Sequence, residues 1–262
     1  MTNVSSILFY GMVDFSGIDL VAVSSNLSTN LLSILPEVVF MVLISYLLTV
    51  LALELGQGRS KKDLALESLA ALRVGLLCVA FLYFLQLAYN HTGSAFSGYF
   101  LVNSYTTTFK LLTLLSGLFV LHNSDEYIRR HERHLLEYPI VLSLALLLML
   151  LLVSAGHLIS AFLALVGFSL NIYVLILFDA PTAVAREAGI KYFYLSAFSS
   201  GLFIYGIFLF FLVTGTGHFY EIATLMTYAE EIQGTGLELL QLAVVFILTG
   251  LFFKLSAFPG HL

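Results

Sequence analysis

Apolar residues fall into seven long runs along the chain, separated by short stretches of polar or turn-forming residues. A helix needs about 20 mainly apolar residues to cross the hydrocarbon layer of a membrane. The runs therefore predict seven spanning helices, over 35–54, 69–89, 99–122, 138–154, 158–178, 189–213 and 239–262. The last run contains Pro259, which predicts a broken seventh helix because proline interrupts the helical hydrogen bonds.

Composition points to the same fold class, an all-α bundle of transmembrane helices. The chain is 60% hydrophobic and 10% charged, whereas a soluble domain carries about 25% charged residues. One cysteine, Cys78, and scattered histidines give no pattern for a haem, iron–sulfur or zinc centre. We therefore expect no bound cofactor and no redox chemistry within this chain. The net charge of −5 is spread over loops and gives no basic patch for nucleic acid.

Positively charged loop residues alternate along the chain. Three connections, 55–68, 123–137 and 179–188, carry seven loop cations, whereas those near 90–98, 155–157 and 214–238 carry none. The seven are Arg59, Lys61, Lys62, Arg129, Arg130, Arg133 and Arg186. The positive-inside rule places these loops in the cytoplasm or an organelle matrix and the N-terminus on the opposite, outer side.

Four further cations lie within or near the ends of the predicted spans. Arg73 is near a span end, and its side chain is expected to extend to the membrane interface. Lys191 is at a similar place in its span, and extension of its side chain to the interface is one of two interpretations. Lys110 and Lys254 are near the middle of their spans, so each needs a buried partner or water. Glu37 follows Pro36 at the start of the first span, which favours a capping role.

Several motifs together resemble one protein family. They are Phe109-Lys110-Leu111-Leu112, the segment from Glu187 to Phe193 that contains Lys191, the segment from Gly250 to Ser256 that contains Lys254, and Pro259-x-His261. These stretches are similar to subunit 2 of respiratory complex I, the proton-pumping NADH:quinone oxidoreductase. The resemblance covers about residues 34–262. It implies three N-terminal helices over 34–122 and the first part of an antiporter-like core over 123–262, after an N-terminal segment, 1–33, at the outer membrane face.

The resemblance also assigns roles to individual residues. Lys191 and Lys254 would be the lysines of a proton half-channel, and Lys110, the lysine of the third span, would be a further proton-translocation residue. His261, close to Lys254 in the chain, is a candidate relay because histidine exchanges protons near neutral pH. The function implied is proton translocation coupled to electron transfer from NADH to ubiquinone, within a complex of membrane-arm subunits surrounded by lipid.

Two departures from the family leave alternatives open. Val166 stands where the family carries a fifth-span glutamate, and no Asp or Glu occurs between Glu137 and Asp179. Either another residue replaces that carboxylate, or the subunit is structural with an inactive half-channel. A stand-alone cation/proton antiporter is a third interpretation. The family also continues beyond the equivalent of Leu262, which predicts a split subunit completed by a second polypeptide. The absence of Trp and the split favour a mitochondrial inner membrane, with a bacterial plasma membrane as the alternative.

Overall fold

Helices account for most of the chain. The structure, a computed structural model, describes residues 20–55, 61–130, 137–177, 183–227, 235–255 and 257. The helices are α1 (Leu20–Leu55), α2 (Lys61–Ala88), α3 (Ser104–Arg130), α4 (Glu137–Ser154), α5 (Leu158–Leu177), α6 (Ala183–Thr214), α7 (Phe219–Thr227) and α8 (Thr235–Lys254). In this part of the chain, seven helices are long and apolar enough to cross a membrane, all except α7. The predicted fold class is therefore confirmed.

The first four helices share a hydrophobic core. Inward-facing residues recur every three or four positions, as in the α1 stripe of Phe40, Ile44 and Leu47, because residues at that spacing share one face of a helix. Outward-facing residues are equally apolar, and Val42 and Phe81 are 62% and 60% exposed. An apolar outer surface is expected where lipid rather than water surrounds the helices.

The later helices form a second group. Helix α6 packs lengthwise against α8, and α5 packs against both α4 and α6. A smaller core of Leu209, Phe210, Leu240 and Ala243 fills the space between α6 and α8. Helix α4 contacts α3 on one side and α5 on the other, so it joins the two groups into one bundle.

Several predicted boundaries need correction. Helix α1 begins at Leu20 in the described residues and runs without a break into its apolar part, Leu32–Glu54; the place of the N-terminal segment at the outer membrane face stays a prediction. Helix α3 begins at Ser104 rather than 99, because two strands, β1 (Gly93–Ala95) and β2 (Phe100–Val102), form an antiparallel hairpin before it. The backbone N–H of Asn103 then donates to Thr106 Oγ1 at 2.9 Å and caps the helix. Pro259, the predicted break, lies outside the described residues.

The two ends of the bundle differ in charge. We call one end the hairpin face; it carries the β-hairpin and the connections 155–157 and 215–218. Lys61, Lys62, Arg129 and Arg186 lie in the terminal turns of α2, α3 and α6 at the opposite end. This arrangement follows the predicted alternation, while the side of the membrane that each end faces stays a prediction.

Candidate functional site

Lys254 is the last residue of α8 and lies half-buried beside α5. Its ammonium Nζ donates a hydrogen bond to the Ser169 hydroxyl at 3.1 Å. Twelve uncharged residues, 242–253, precede it in the helix. Apolar packing of these residues therefore holds α8 in place and positions the charged Lys254 side chain inside the bundle. A lysine at membrane depth is costly unless polar groups or water accompany it.

A cavity of about 310 Å³ surrounds the Lys254 side chain. Helices α5 and α6 contribute polar groups to its wall, and α4 and α8 contribute mainly apolar ones. The polar lining consists of Ser169, Tyr192, Ser196 and Ser199. Such a space is large enough for several water molecules and offers them hydroxyl partners. We call this space the Lys254 cavity.

A second, smaller cavity adjoins the first and contains Val166. It measures about 140 Å³ and shares Ser169, Tyr192 and Ser196 with the Lys254 cavity. Val166, which stands at the expected fifth-span glutamate, gives this cavity an apolar wall, while Ser200 adds a further hydroxyl. The wall of this smaller cavity therefore offers hydroxyl groups, but residue 166 does not add a carboxylate to it.

Close contact between α6 and α8 positions Lys254. The buried Ser199 hydroxyl donates to the Gly250 carbonyl at 2.8 Å. A Cβ on Gly250 would lie 3.0 Å from the Ser199 carbonyl oxygen, and one on Gly206 would lie 2.8 Å from the Ile247 amide nitrogen. Both positions need glycine because backbone atoms, as well as side-chain atoms, face them at close range.

Lys191 lies on a different face of α6 from the Lys254 cavity. Its Nζ is 2.6 Å from Glu187 Oε1, one turn earlier in the helix, and the two side chains are 71% and 67% exposed. Neither residue lines a cavity with Lys254, although the next residue, Tyr192, does. Glu187 therefore supplies Lys191 with a carboxylate partner from its own helix. The i,i+4 spacing of Glu187 and Lys191 is a sequence signal that could have predicted this pair.

Lys110 lies in the first group of helices, closer to a helix end than predicted. It occupies the second turn of α3, because the helix begins at Ser104. The lysine is fully buried and forms an ion pair with Glu37 of α1. The prediction that Glu37 caps a helix is wrong, since Glu37 is inside α1 and buried. No local sequence signal could have joined two residues 73 positions apart.

Arg73 is also paired rather than extended to the interface. Its guanidinium forms an ion pair with Asp125 of α3 and donates to the Leu121 carbonyl at 3.0 Å. The prediction of simple extension is therefore wrong, because a carboxylate on the neighbouring helix lies within reach. His261, the candidate relay, lies outside the described residues.

Two histidines meet on the hairpin face, where three connections are tied together. The His157 ring stacks on Tyr99 at 4.5 Å between ring centres and meets the His218 ring edge-on at 4.7 Å. We call these three residues the histidine latch. Burial lowers the pKa of His157 below its usual value, the charge of His218 lowers it further, and Glu221 partly opposes both.

Comparisons with known proteins give the same architecture. Residues 155–262 match the family described as NADH:quinone oxidoreductase/Mrp antiporter, transmembrane. The matched region has an antiporter-like fold. Lys191, Lys254 and the Lys254 cavity residues of α5, α6 and α8 belong to this region, whereas the Glu37–Lys110 and Arg73–Asp125 pairs lie before it.

Similar proteins extend the likeness of the antiporter-like region into the earlier helices. NADH-quinone oxidoreductase subunit N of Parvibaculum lavamentivorans is 38% identical over 207 residues, which cover 79% of this chain and 41% of that protein. The same-named protein of Pelagibacter ubique is 34% identical over 233 residues, which cover 89% of this chain and 46% of that protein. The chain thus spans less than half the length of these relatives.

Solved structures share the fold of this chain. A chain of respiratory complex I from Thermus thermophilus with bound aureothin superposes with a TM-score of 0.63 at 29% identity, covering 86% of this chain and 45% of that one. A chain of the membrane-bound sulfane sulfur reductase, an archaeal respiratory membrane complex, gives 0.66 at 19% identity and covers 89% and 46%. The second likeness concerns the fold alone.

Proposed function

We propose that this chain is a membrane-arm subunit of a respiratory NADH-quinone oxidoreductase and takes part in proton translocation. The observation that carries the proposal is the Lys254 ammonium, held at 3.1 Å from Ser169 in a hydroxyl-lined cavity inside the membrane bundle. The names of the similar proteins supply the rest, since they are subunits of quinone-reducing respiratory complexes. The other membrane-arm subunits and lipid are then its partners.

Lys254 is proposed to hold the translocated proton. An amine in a cavity that admits water can bind a proton, pass it to a neighbouring hydroxyl or water molecule, and take up another. Ser169 accepts the hydrogen bond from Lys254 and also lines the smaller cavity that contains Val166. The hydroxyls of Tyr192 and Ser196 line both cavities, so they offer the next positions in a hydrogen-bonded path.

Lys191 is proposed to regulate this path through its pair with Glu187. The pair lies on α6, and Tyr192, the residue after Lys191, lines the Lys254 cavity. Separating Lys191 from Glu187 would change the charge next to the cavity, because the ammonium would then lack its counter-ion. Glu187 thus takes the place of the carboxylate that Val166 does not provide. His261 remains a candidate relay next to Lys254.

The structural alternative is favoured by one observation, the apolar wall that Val166 gives to the smaller cavity. In that case this half of the subunit would support assembly while other subunits translocate protons. The two functions differ in what substitution of Lys254 does. Proton translocation predicts a loss of pumping with normal assembly, whereas a structural role predicts unchanged pumping in every complex that assembles.

The experiment compares Lys254→Ala with an unsubstituted complex reconstituted in lipid vesicles. We expect a severalfold lower ratio of protons moved to NADH oxidised, with the same subunit composition. Thr249→Val is the matched control, because Thr249 lies on the same helix and its hydroxyl bonds only to the Val245 carbonyl of that helix in the described residues. An unchanged ratio in Lys254→Ala would contradict translocation through this lysine. Ion exchange by the purified chain without NADH would instead favour a stand-alone antiporter.

Location and assembly complete the proposal. The two subunit N proteins named above are bacterial, which fits a plasma membrane; a mitochondrial inner membrane stays the other prediction. Mass spectrometry of the native assembly in mild detergent tests both assembly predictions. NADH-oxidising subunits that migrate with this chain would support membership of the complex, and a second chain related to the remaining part of subunit N would support a split subunit.

A further inference from the structure

Polar side chains from three helices meet inside the first group of helices, near the hairpin face. The inward stripes of α1, α2 and α3 are apolar over most of their length, as at Phe40, Val79 and Leu114. At the hairpin end all three stripes become polar within one or two turns. The polar members are Ser33 and Glu37 of α1, Tyr83 and Gln86 of α2, and Thr107 and Lys110 of α3. We call this group the polar column.

An ion pair forms the inner end of the column. Glu37 and Lys110 are 4% and 0% exposed, and their side chains are in direct contact. The ring of Tyr83, itself fully buried, lies 5.3 Å from the Lys110 Nζ. The three side chains thus bring a carboxylate, an ammonium and a phenol together in the interior of a membrane bundle.

Three buried polar atoms of the column lack a hydrogen bond of normal geometry, although the Tyr83 hydroxyl and the Glu37 carboxylate lie close enough to interact with each other. In the described part of the chain, four buried side-chain N or O atoms lack a hydrogen-bond partner, and three of them are Glu37 Oε2, the Tyr83 hydroxyl and Gln86 Oε1. Buried polar atoms of this kind are normally satisfied by internal water molecules. These atoms lie on neighbouring turns of α1 and α2, which favours a short chain of hydrogen-bonded water molecules rather than one isolated molecule.

The column opens toward the hairpin face. Pro36 has no N–H, so the Leu32 carbonyl four residues earlier loses its helical donor, and the Gln86 side-chain amide donates to it instead at 2.9 Å. Gln86 and His91 are polar members of an otherwise mainly apolar wall, formed largely by leucines of α1 and α2, around an open cavity of about 310 Å³ at this end. The His91 ring lies 3.4 Å from the Ser33 hydroxyl, which places a further polar group between the opening and Glu37.

The opposite end of the column is closed by packed apolar side chains. Phe40, Leu76 and Val79 are 0% exposed and Leu114 is 1% exposed. These residues follow Glu37, Tyr83 and Lys110 in the three stripes toward the basic end. A dry apolar layer conducts neither water nor protons, so the column can exchange only with the hairpin face.

We propose that the polar column is a second proton-exchanging site, which binds internal water and exchanges the protons of the Glu37–Lys110 pair with the aqueous phase at the hairpin face. In the exchange, a Lys110 N–H bond breaks as an O–H bond forms on Glu37, and the carboxyl proton passes to bound water. A proton returning from water restores the ion pair, so charge and atoms balance. The site goes beyond the proposed translocation through Lys254, because its residues precede the antiporter-like region.

Hydroxyl-radical labelling of the assembled membrane complex tests for the water. Radicals made from water modify aromatic side chains next to bound water, irrespective of bulk exposure. Tyr83 and Phe40 are both fully buried, so Phe40 is a matched internal control. We expect Tyr83 to be modified severalfold faster than Phe40 in the unsubstituted complex. Equal rates for the two residues would overturn the proposal.

A variant and an isotope exchange complete the test. Gln86→Leu removes the amide at the opening, and we expect it to lower Tyr83 labelling to the level of Phe40; Gln241→Leu, at an exposed position on α8, should leave it unchanged. In infrared difference spectra, the ammonium N–H bending band that Lys110→Arg removes should shift when the complex is moved into D₂O, because the protons of Lys110 are the ones that exchange. A band that does not shift would overturn the proton exchange, and persistent labelling in Gln86→Leu would overturn the path.

Discussion

At the scale of single residues, the buried cations differ in the partners they have. Lys110 and Arg73 each contact a carboxylate on another helix, Glu37 and Asp125, and a countercharge favours the ionised form of each partner while still allowing proton exchange. Lys254 instead bonds to the hydroxyl of Ser169, which neutralises no charge. This difference makes Lys254 the better group for passing a proton on, and the Glu37–Lys110 pair the more stable contact.

The Glu37–Lys110 pair yields a prediction about stability. Lys110→Met leaves a buried carboxylate without its counter-ion, and we expect a loss of about 3–5 kcal/mol. The double variant Glu37→Met with Lys110→Met removes both charges at similar side-chain volume, so it should recover most of that loss. Resistance of the chain to proteolysis in the isolated membrane measures both. A double variant as unstable as Lys110→Met would show that the pair itself, rather than the unpaired charge, determines stability.

At the scale of helices, glycine decides where α6 and α8 approach each other. Gly206→Ala places a Cβ 2.8 Å from the Ile247 amide nitrogen and 2.9 Å from the Ala243 carbonyl oxygen. Backbone atoms cannot turn away, so we expect a destabilisation of about 1–3 kcal/mol. Proteolysis of the α6–α8 region in the assembled complex would measure it.

A matched control for this helix contact lies one and a half turns away. A Cβ on Gly201, in the same helix, meets nothing within 4 Å. Gly201→Ala should therefore leave the stability of the α6–α8 contact unchanged or slightly higher, since alanine favours the helical state. Equal losses in Gly206→Ala and Gly201→Ala would indicate that helix propensity, rather than close packing, explains the effect.

Helices could be predicted from the sequence because lipid imposes one simple condition, a run of about 20 apolar residues. The β-hairpin and α7 could not, since all three elements are far shorter than a spanning run: β1 is Gly93–Ala95 and β2 Phe100–Val102, three residues each, and α7 is Phe219–Thr227, nine residues. Missing the hairpin placed the start of α3 five residues early. A span over 99–122 puts Lys110 at its middle, whereas a helix that begins at Ser104 puts Lys110 in its second turn.

Side-chain partners were harder to predict than helices. The apolar runs of the sequence single out Lys254 and Lys191 as charges within or near predicted spans, but their partners depend on how helices pack. Ser169 and Lys254 are 85 positions apart in the sequence, and Arg73 and Asp125 are 52 positions apart. Periodicity shows which residues share a helix face, yet it does not show which faces meet.

At the scale of the whole molecule, the histidine latch joins three separate connections at the hairpin face. The Gly156 N–H donates to the Tyr99 carbonyl at 2.8 Å, and the Leu158 N–H donates to the Gly217 carbonyl at 2.9 Å. His157 Nδ1 accepts from the Ile159 N–H at 3.1 Å. A proton on Nδ1 would remove that acceptor and add a positive charge facing His218, with only Glu221 to oppose it and Tyr99 stacked on the ring.

The latch should therefore open more readily in acid. In the closed latch, burial and the neighbouring His218 lower the pKa of His157. In the open state the pKa of His157 is about 6.5, so the open state binds a proton more tightly than the closed state. The full stability of the closed latch is present above about pH 6.5 and is lost as the pH falls through the lower pKa of the closed state. The loss is at most about 1.4 kcal/mol per pH unit for one proton.

Hydrogen–deuterium exchange of residues 155–160 between pH 5 and 8 measures this opening, after correction for the intrinsic pH dependence of amide exchange. His157→Asn keeps a hydrogen-bond acceptor but cannot titrate, so the acid-dependent increase in exchange should disappear. His122→Asn, at an exposed position on α3, should retain it. If His157→Asn kept the acid-dependent opening, another group would control the latch, and the contact between His157 and His218 would be packing alone.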